Sequence, residues 1–268
     1  VCLSPLGLTV KNHAAETSTN PSDWRLIHHL SWPGRTTTSV NAATPMELAP
    51  VFSLPGLAEL AAHCHSLPSS TTHVYKEDIV TAFRHIPLAN AMVPFFVVCL
   101  GPLCFADLCC GFGWSASPAF FSLLSSAVMT LHRPVFSASW MYVDDGFGAE
   151  PTLTLARKAA AHLRGSIRSV AGPNAVATHK SLLGQSVEVL GILVNVREQL
   201  LQLPDTKRIR IVDSLLQFLE DPERRFDSHA VSSLIGKLRH ACTCAPPFRA
   251  VLSPLIDHLA ALQRPGDV

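Results

Sequence analysis

The stretch Trp140-Met141-Tyr142-Val143-Asp144-Asp145-Gly146-Phe147 joins an apolar run to two adjacent carboxylates. We predict that Val135 to Val143 forms a strand and that Gly146 permits a tight turn after it. Adjacent acids are common in surface turns, but here large apolar residues flank them on both sides. Charges at the tip of a buried hairpin cost free energy unless a ligand compensates them. The stretch therefore predicts a functional site at Asp144 and Asp145.

A third carboxylate, Asp78, lies near the end of another predicted strand, Thr72 to Ile79. Its neighbour Glu77 should face the opposite side, because successive side chains of a strand alternate. Carboxylate oxygens are preferred ligands of Mg²⁺, and two divalent cations about 3.5–4 Å apart can share such a set. We expect Asp78, Asp144 and Asp145 to hold two Mg²⁺ ions, with Mn²⁺ as an alternative.

The composition is that of a folded globular protein, since 48% of the 268 residues are hydrophobic and 15% are charged. The net charge of +1 counts against a nucleic-acid binder, because phosphate contacts draw on Lys and Arg. The charge is unevenly distributed, at −1 for residues 1–77, −3 for 78–150, +4 for 151–203 and +1 for 204–268. An acidic segment beside a basic one suits a metal site next to a phosphate-binding track.

The eight cysteines lack the paired C-x-x-C spacing of a structural zinc site. Five of them lie in strongly apolar surroundings, and we interpret the cysteines as reduced. The triplet His63-Cys64-His65 looks like a ligand cluster, but adjacent residues point away from each other on a helix or a strand. We therefore favour a structural role for this triplet over a metal site.

The apolar stretch from Met92 to Ala106 is interrupted by Pro94, Gly101 and Pro102. A membrane-spanning helix needs about 20 uninterrupted apolar residues, so we predict a buried hairpin that bends at Gly101-Pro102. The first residue is Val1, with no charged start followed by an apolar stretch and a cleavage site. We expect a segment of a longer protein, without a membrane partner, inside the cell in either the cytoplasm or the nucleus.

Apolar periodicity predicts a mixed α/β body of about 200 residues followed by a helical C-terminal part. One helix should begin with Ser117 as its cap and Pro118 in its first turn. The helix after Leu153 should bury one face and carry basic residues on the other. Those basic residues are Arg157, Lys158, Arg164 and Arg168. Predicted helices cover residues 57–67, 117–131, 153–170, 205–220, 228–242 and 247–263, and further strands lie near 187–195 and 199–203.

Three motifs in a fixed order resemble those of reverse transcriptases. Tyr142-Val143-Asp144-Asp145 looks like their Y-x-D-D signature, and the ten residues from Asp78 to Pro87 resemble their first carboxylate motif. Between these, Phe112 to Phe121 resembles the F/Q-G-x-x-x-S-P helix start that holds template and incoming nucleotide. The order of the motifs and the 66 positions from Asp78 to Asp144 argue against chance agreement.

The resemblance implies roles for further residues. Phe83 occupies the position of the steric gate, where an aromatic ring presses against a 2′-hydroxyl and favours deoxynucleotides; a packing role in a helix-like turn is the alternative. Arg25, in a stretch similar to the fingers strand, would bind the triphosphate through its bidentate geometry. The other implied positions are Lys11 for the triphosphate, Phe112 and Gly113 for template and nucleotide, Lys180 near the leaving phosphate, and Leu190 and Gly191 in the primer grip.

The resemblance also implies an α+β, right-hand polymerase fold. We expect fingers at 1–77 and 88–110, a palm of antiparallel sheet plus helices at 78–87 and 111–203, and a helical thumb or connection at 204–268. The implied activity is RNA-directed DNA polymerisation, in which deoxynucleoside triphosphates extend a primer on an RNA or DNA template by two-metal-ion catalysis. The segments 28–31, 233–238 and 246–250 most resemble retrotransposon enzymes of the DIRS group, which has a tyrosine recombinase.

Some positions depart from the family pattern, and alternatives stay open. Gly111 stands where proline is usual, and Ala42 follows Asn41 where an acid is common. We expect the chain to end before a ribonuclease H domain, which with the recombinase would be another part of the same element. One alternative is a decayed retroelement fragment that binds nucleic acid without polymerising. Another is an RNA-dependent RNA polymerase, against which Tyr142 and Phe83 argue; a hydrolase lacks its G-x-S-x-G sequence.

Overall fold

The computed structural model describes residues 4–10, 19–20, 24–32, 38–100, 102–220 and 228–262. Strands and helices are mixed up to Gln202, and helices follow. The strands are β1 (Leu6–Val10), β2 (Trp24–His28), β3 (His73–Asp78), β4 (Val97–Leu100), β5 (Leu103–Ala106), β6 (Ser139–Tyr142), β7 (Asp145–Glu150), β8 (Leu182–Gly184), β9 (Ser186–Val189), β10 (Ile192–Asn195) and β11 (Leu200–Gln202). The α-helices are α1 (Val40–Ala43), α2 (Leu57–Ser66), α3 (Ser117–His132), α4 (Leu153–Ala171), α5 (Asp205–Glu220), α6 (Ser228–Ala241) and α7 (Ser253–Leu262).

The strands form small sheets with antiparallel pairing. A four-stranded sheet has the order β6-β7-β3-β8, and a three-stranded sheet has the order β11-β10-β9. The pairs β1-β2 and β4-β5 are two-stranded hairpins. This mixture of helices with antiparallel sheets confirms the predicted α+β class.

The chain divides into two compact units. The first comprises Val1–Pro55, Glu77–Gly146 and Ala161–Lys180, and the second comprises Gly56–Lys76, Phe147–Ala160 and Ser181–Val268. The division into fingers, palm and thumb stays a prediction, because it concerns how the parts would serve a bound duplex.

An aromatic core holds the first unit together. The Trp114 ring stacks on Phe120 with 5.4 Å between centroids and meets Phe96 edge-on at 5.2 Å. Its indole Nε1 donates to Thr44 Oγ1 at 2.9 Å, so the polar atom of this buried side chain is satisfied. Buried Leu30, Val40, Cys110 and Ala116 complete the cluster.

The second unit is built on aliphatic residues that alternate along its strands. Val187 and Val189 of β9 are buried while Ser186 and Glu188 are exposed, the pattern of a strand with one covered face. Helix α2 begins as predicted, with the Gly56 amide donating to Glu59 Oε2 at 3.0 Å. Other fully buried members include Leu60, Val74, Tyr75, Phe147, Ala149 and Ile192.

Elements with strong periodicity lie where the sequence predicts them, among them α2, β3, α4, α5 and α6. Helix α3 begins at Ser117 with Pro118 in its first turn, but Ser117 does not cap it. Ala116 is the N-cap residue, and the Ser117 hydroxyl donates instead to the Gly111 carbonyl at 2.8 Å. The prediction of a serine cap was therefore wrong.

Three predicted elements are shorter or divided. Residues 135 and 136 donate to the His132 carbonyl at 3.1 Å in a turn after α3, so β6 begins only at Ser139. The strand predicted at 187–195 is two strands joined by a turn at Leu190-Gly191. The last predicted helix is a 3₁₀ segment, Pro246–Leu252, followed by α7.

The predicted hairpin within Met92–Ala106 is present as β4 and β5. Its burial was overestimated, because Leu103 and Phe105 of β5 are at least half exposed. Cys99 and Cys104 are directly opposed in the register and form a disulfide, so the interpretation of reduced cysteines was wrong for this pair. Burial raises the pKa of the Cys64 thiol to about 11, the behaviour of an inert thiol.

The triplet at 63–65 has a structural role. His63 Nε2 donates to the Ala149 carbonyl at 3.2 Å, and Cys64 is buried. No described helix combines the length and the apolar composition needed to cross a membrane.

Candidate functional site

The two adjacent carboxylates lie at the turn between β6 and β7. Val143 adopts φ +53°, so a β-branched residue occupies the left-handed region at this turn. The prediction that Gly146 supplies the turn was wrong. Gly146 is instead a buried strand residue, and a Cβ there would lie 3.0 Å from Leu163 Cδ2. Glycine at 146 therefore allows close packing, while the acidic turn itself is held in a strained conformation.

Asp78 ends β3 and lies beside this turn. The Ile79 amide donates to the Asp144 carbonyl at 3.0 Å, which joins two segments that are 66 positions apart in the sequence. On the other side, the Ala177 amide donates to the Asp78 carbonyl at 2.9 Å. The Asp78 residue is 5% exposed. Backbone hydrogen bonds thus fix the positions of two of the three predicted aspartates.

Lys180 is the ion-pair partner of Asp78. Its Nζ donates to the two carboxylate oxygens at 3.0 and 3.1 Å, and the Lys180 side chain is 54% exposed. Lys180 ends a 3₁₀ turn, Thr178–Lys180, in which its amide donates to the Ala177 carbonyl at 2.8 Å. The structure therefore brings Lys180 to the carboxylates, while a role toward a leaving phosphate stays a prediction.

Glu77 takes a different partner from its neighbour. Nη1 of Arg164 lies 2.7 Å from Glu77 Oε1, and the Glu77 side chain is 1% exposed. Different partners for Glu77 and Asp78 agree with the expected alternation along a strand. Arg164 is consequently half-buried and does not belong to the exposed basic face on which it was predicted. The exposed basic residues of α4 are Arg157, Lys158 and Arg168.

The carboxylates interact electrostatically. Burial, followed by the negative charges of Asp145 and Asp78, raises the pKa of Asp144 to about 6, although the Lys180 ammonium acts to lower it. Desolvation and like charges both disfavour an ionised acid. Asp144 therefore ionises with difficulty in this setting, and added positive charge would relieve it.

The donor set fits a hard divalent cation by ligand type, because it offers carboxylate oxygens in an acidic, partly desolvated setting. The side chains are not arranged in the geometry of a metal-binding centre. Within the part of the chain that the structure describes, no group of three or more His, Cys, Asp or Glu side chains is placed to hold a metal ion. The oxygens of Asp78 are hydrogen-bonded to Lys180 instead.

Phe83 lies on a 3₁₀ turn, Ala82–His85, immediately after the Asp78 segment. Its ring is half-buried and meets Phe112 at 5.1 Å and Phe121 at 5.8 Å between centroids, both edge-on. Phe83 therefore packs against other aromatic rings, as the alternative to the steric gate predicted. A ring held by two others is also the kind of rigid wall that a steric gate needs.

Phe112 and Gly113 contact the end of β2. The His28 amide donates to the Phe112 carbonyl at 3.1 Å. Gly113 has φ +103°, and a Cβ there would lie 1.8 Å from the His28 carbonyl oxygen. Only glycine fits at position 113, because both the backbone angle and the close approach exclude a side chain.

Asn41 fastens this segment and was missed in the sequence. Its Nδ2 donates to the Gly113 carbonyl and to Ser31 Oγ, both at 2.8 Å, and its Oδ1 accepts from the Ser115 amide at 2.9 Å. The sequence drew attention only to Ala42 beside it. No local pattern announces Asn41, since two of its partners are more than 70 positions away.

The side chains of two predicted triphosphate ligands lie outside the part of the chain that the structure describes. Arg25 lies in β2 opposite Thr9 of β1, and its side chain is outside the described part of the structure. Lys11 lies wholly outside the described residues. Leu190 and Gly191 form the β9–β10 turn of the second unit, with φ values of +49° and +78°.

The fold is similar to that of foamy viral protease-reverse transcriptases. One such structure, named dRH and in complex with double-stranded DNA, matches with a TM-score of 0.63 over 96% of this chain and 41% of that chain, at 17% identity. Another, in complex with an RNA/DNA hybrid, matches with a TM-score of 0.62 over 91% and 29%, at 18% identity. The native prototype foamy virus enzyme gives 0.54 over 97% and 33%, at 14% identity.

No protein-family model and no curated protein matches this chain. The chain spans less than half of each of these structural neighbours. The likeness shows a reverse-transcriptase-like fold, with a mixture of helices and antiparallel sheets.

Proposed function

We propose that this chain is the polymerase core of a reverse transcriptase, which adds deoxynucleotides to a primer 3′-hydroxyl on an RNA or DNA template. The observation that carries the proposal is the junction of Asp78 with the Asp144-Asp145 turn through the Ile79 to Asp144 hydrogen bond of 3.0 Å. A carboxylate whose pKa is raised to about 6 by burial and by like charges is poised to accept a cation.

In this proposal Asp78, Asp144 and Asp145 hold two Mg²⁺ ions, or Mn²⁺. When bound, the ions activate the attacking hydroxyl and neutralise charge on the phosphates. The chain itself supplies alignment and charge, and it needs no nucleophile. Lys180, exposed at the end of its turn, would face the leaving phosphate.

The remaining predicted residues would hold the substrates. Phe83, fixed by Phe112 and Phe121, would exclude a ribose 2′-hydroxyl. Arg25 and Lys11 would bind the triphosphate, and Gly113 would shape the template contact. The structural neighbours were solved with double-stranded DNA and with an RNA/DNA hybrid, which supports a duplex as the ligand.

The element of origin is a finer part of the same proposal. We assign the chain to a retrotransposon, most like the DIRS group, on the motifs of the sequence. Fingers, palm and thumb would then follow the boundaries given above. Ribonuclease H and recombinase functions would belong to other parts of that element.

Primer extension tests the proposal directly. Wild type and Asp144→Asn would be compared on an RNA template with Mg²⁺ and either deoxynucleotides or ribonucleotides. We expect extension with deoxynucleotides only, and its loss in the variant by a factor of roughly 10³ or more. A folded wild type that extends no primer with either nucleotide set contradicts the proposal.

The choice between deoxynucleotides and ribonucleotides tests the proposed role of Phe83 separately. Phe83→Ala should allow ribonucleotides to be incorporated, whereas Phe136→Leu, whose ring stacks on His132 with 5.5 Å between centroids, should leave selectivity intact. If the wild type incorporates ribonucleotides and deoxynucleotides equally well, Phe83 is not a steric gate. The proposed role of the three aspartates would still stand.

A second candidate is a nucleic-acid-binding domain that no longer polymerises. It is favoured by one observation, that the carboxylates of the described residues do not form a metal-holding group. Binding of an RNA/DNA hybrid by a wild type that shows no extension with Mg²⁺ or Mn²⁺ would select this candidate.

A further inference from the structure

The β9–β10 turn has an unusual backbone for its sequence. Val189 pairs with Ile192, so Leu190 and Gly191 form a two-residue hairpin turn. Both have positive φ, +49° and +78°, which is the pattern of a type I′ turn. Such turns favour Asn-Gly, and a leucine in the left-handed region costs about 1 kcal/mol or more. Something outside the turn must compensate for this strain.

Contacts from two helices hold the turn. Nζ of Lys207, on α5, donates to the Gly191 carbonyl at 2.9 Å and to Glu188 Oε1 at 2.9 Å. His240 Nε2, on α6, donates to the same carbonyl at 3.4 Å. The Lys207 side chain is 27% exposed, half the value of Lys180, so its ammonium is held rather than free in solvent.

The turn is shaped to receive this lysine. A Cβ at Gly191 would lie 2.2 Å from Lys207 Nζ and 3.2 Å from His240 Nε2. A side chain at position 191 would displace the ammonium from the carbonyl. Glycine at 191 and lysine at 207 therefore depend on each other, and a solvated surface charge would show neither contact.

We propose that Lys207 is a positioning residue for the primer strand, which acts by clamping the Leu190-Gly191 turn to α5. This inference rests on the proposed function and on the primer-grip position that the sequence resemblance implies for Leu190 and Gly191. Lys207 touches no substrate in this scheme. It fixes the direction in which the turn presents its half-exposed Leu190 side chain, with His240 as a weaker second support.

The experiment uses Lys207→Met, which keeps most of the stem and removes the charge, beside Lys207→Arg. Lys237→Met is the matched control, because Lys237 also joins α6 to α5, through a 3.2 Å bond to Ser214 Oγ. We expect Lys207→Met to raise the KM for primer–template about tenfold, since misplaced groups lose roughly that factor or more. The KM for the deoxynucleotide should stay unchanged, and Lys207→Arg should restore most of the loss.

The control separates positioning from general stability. We expect Lys237→Met to leave the KM for primer–template unchanged, and to lower the thermal midpoint less than Lys207→Met does, because the exposed Lys237 makes a single bond, of 3.2 Å, among the described residues. Equal KM values for primer–template in Lys207→Met and wild type, or an equal rise of that KM in the two Met variants, overturn the clamp alone. A wild type that extends no primer overturns the proposed function and the clamp together.

Discussion

Asp144 is ionised at a cost, because burial and two neighbouring carboxylates raise its pKa from 3.8 to about 6. Between these values the folded chain holds a proton that the unfolded chain has released. Stability therefore falls as the pH rises from 3.8 to 6, and the deficit persists above that range. Removing this charge should stabilise the protein while it removes a proposed metal ligand.

We predict that Asp144→Asn raises the free energy of unfolding by about 1–3 kcal/mol near pH 8, the order expected from the pKa shift. The gain should vanish near pH 4, where the aspartate is protonated. Denaturant titrations at the two pH values measure it. Asp213→Asn, at an exposed position of α5, is the control and should show no such change. A gain that is independent of pH would contradict the electrostatic account.

Gly113 offers a second test at the scale of one residue. A Cβ there would lie 1.8 Å from a carbonyl oxygen, at a φ of +103°. We predict that Gly113→Ala lowers the free energy of unfolding by about 2–4 kcal/mol. Gly165→Ala, in α4 with open space around it, should instead be neutral or stabilising by up to about 1 kcal/mol. Similar effects of the two changes on thermal unfolding would show that the close approach is absent.

Two helices and a strand of the first unit meet at a buried histidine. His132, on α3, has Nδ1 at 3.0 Å from His162 Nδ1 of α4, and Nε2 at 3.0 Å from Ser139 Oγ of β6. Burial lowers the pKa of His132 to about 4, and the positive charges of His162 and Arg133 act in the same direction. Burial and nearby positive charge disfavour the protonated form of His132, so the stability of this junction depends on pH.

The lowered pKa of His132 decides in which direction stability changes with pH. Between about pH 6.5 and 4 the unfolded chain binds a proton that the folded chain excludes, so stability falls as the pH falls through this range. We predict a loss of up to about 3 kcal/mol from His132. Asp144 acts in the opposite direction, so the measurement is the difference in unfolding free energy between wild type and His132→Gln. A difference that stays constant with pH, as expected for the exposed control His65→Gln, would refute this role.

The sequence predicted the helices and strands whose apolar residues repeat at a regular spacing. It did not predict the turns whose conformation depends on contacts with residues far away in the sequence. Helices α2 and α4 and strand β3 follow local apolar patterns. Val143 and Leu190 adopt positive φ, which their side chains oppose and no local rule anticipates. The meeting of Asp78 with Asp144 was predicted from carboxylates at the ends of two strands, with the motif resemblance as the stronger support for Asp78. Lys207 was missed because a lone lysine gives no signal of its partner.

At the scale of the whole molecule, the positive charge of residues 151–203 bears on duplex binding. Arg157 and Lys158 are exposed on α4. If they contact phosphates, each contributes about 0.9 to the slope of log affinity against log salt. We predict that Arg157→Gln with Lys158→Gln lowers the slope by about 2 for an RNA/DNA hybrid. Fluorescence anisotropy at several salt concentrations measures it, with Thr154→Ala as control, and an unchanged slope would place the phosphate track elsewhere.

The pair of Lys180 with Asp78 gives the acidic turn its own counter-ion. A divalent cation that binds Asp78 competes with the Lys180 ammonium for the same two carboxylate oxygens, so metal binding includes an exchange of charges. The displaced Lys180 remains tethered through its backbone bond to Ala177 and can neutralise another anion nearby. We therefore expect the cation and a phosphate ligand to favour each other's binding by the same factor, as reciprocal linkage requires.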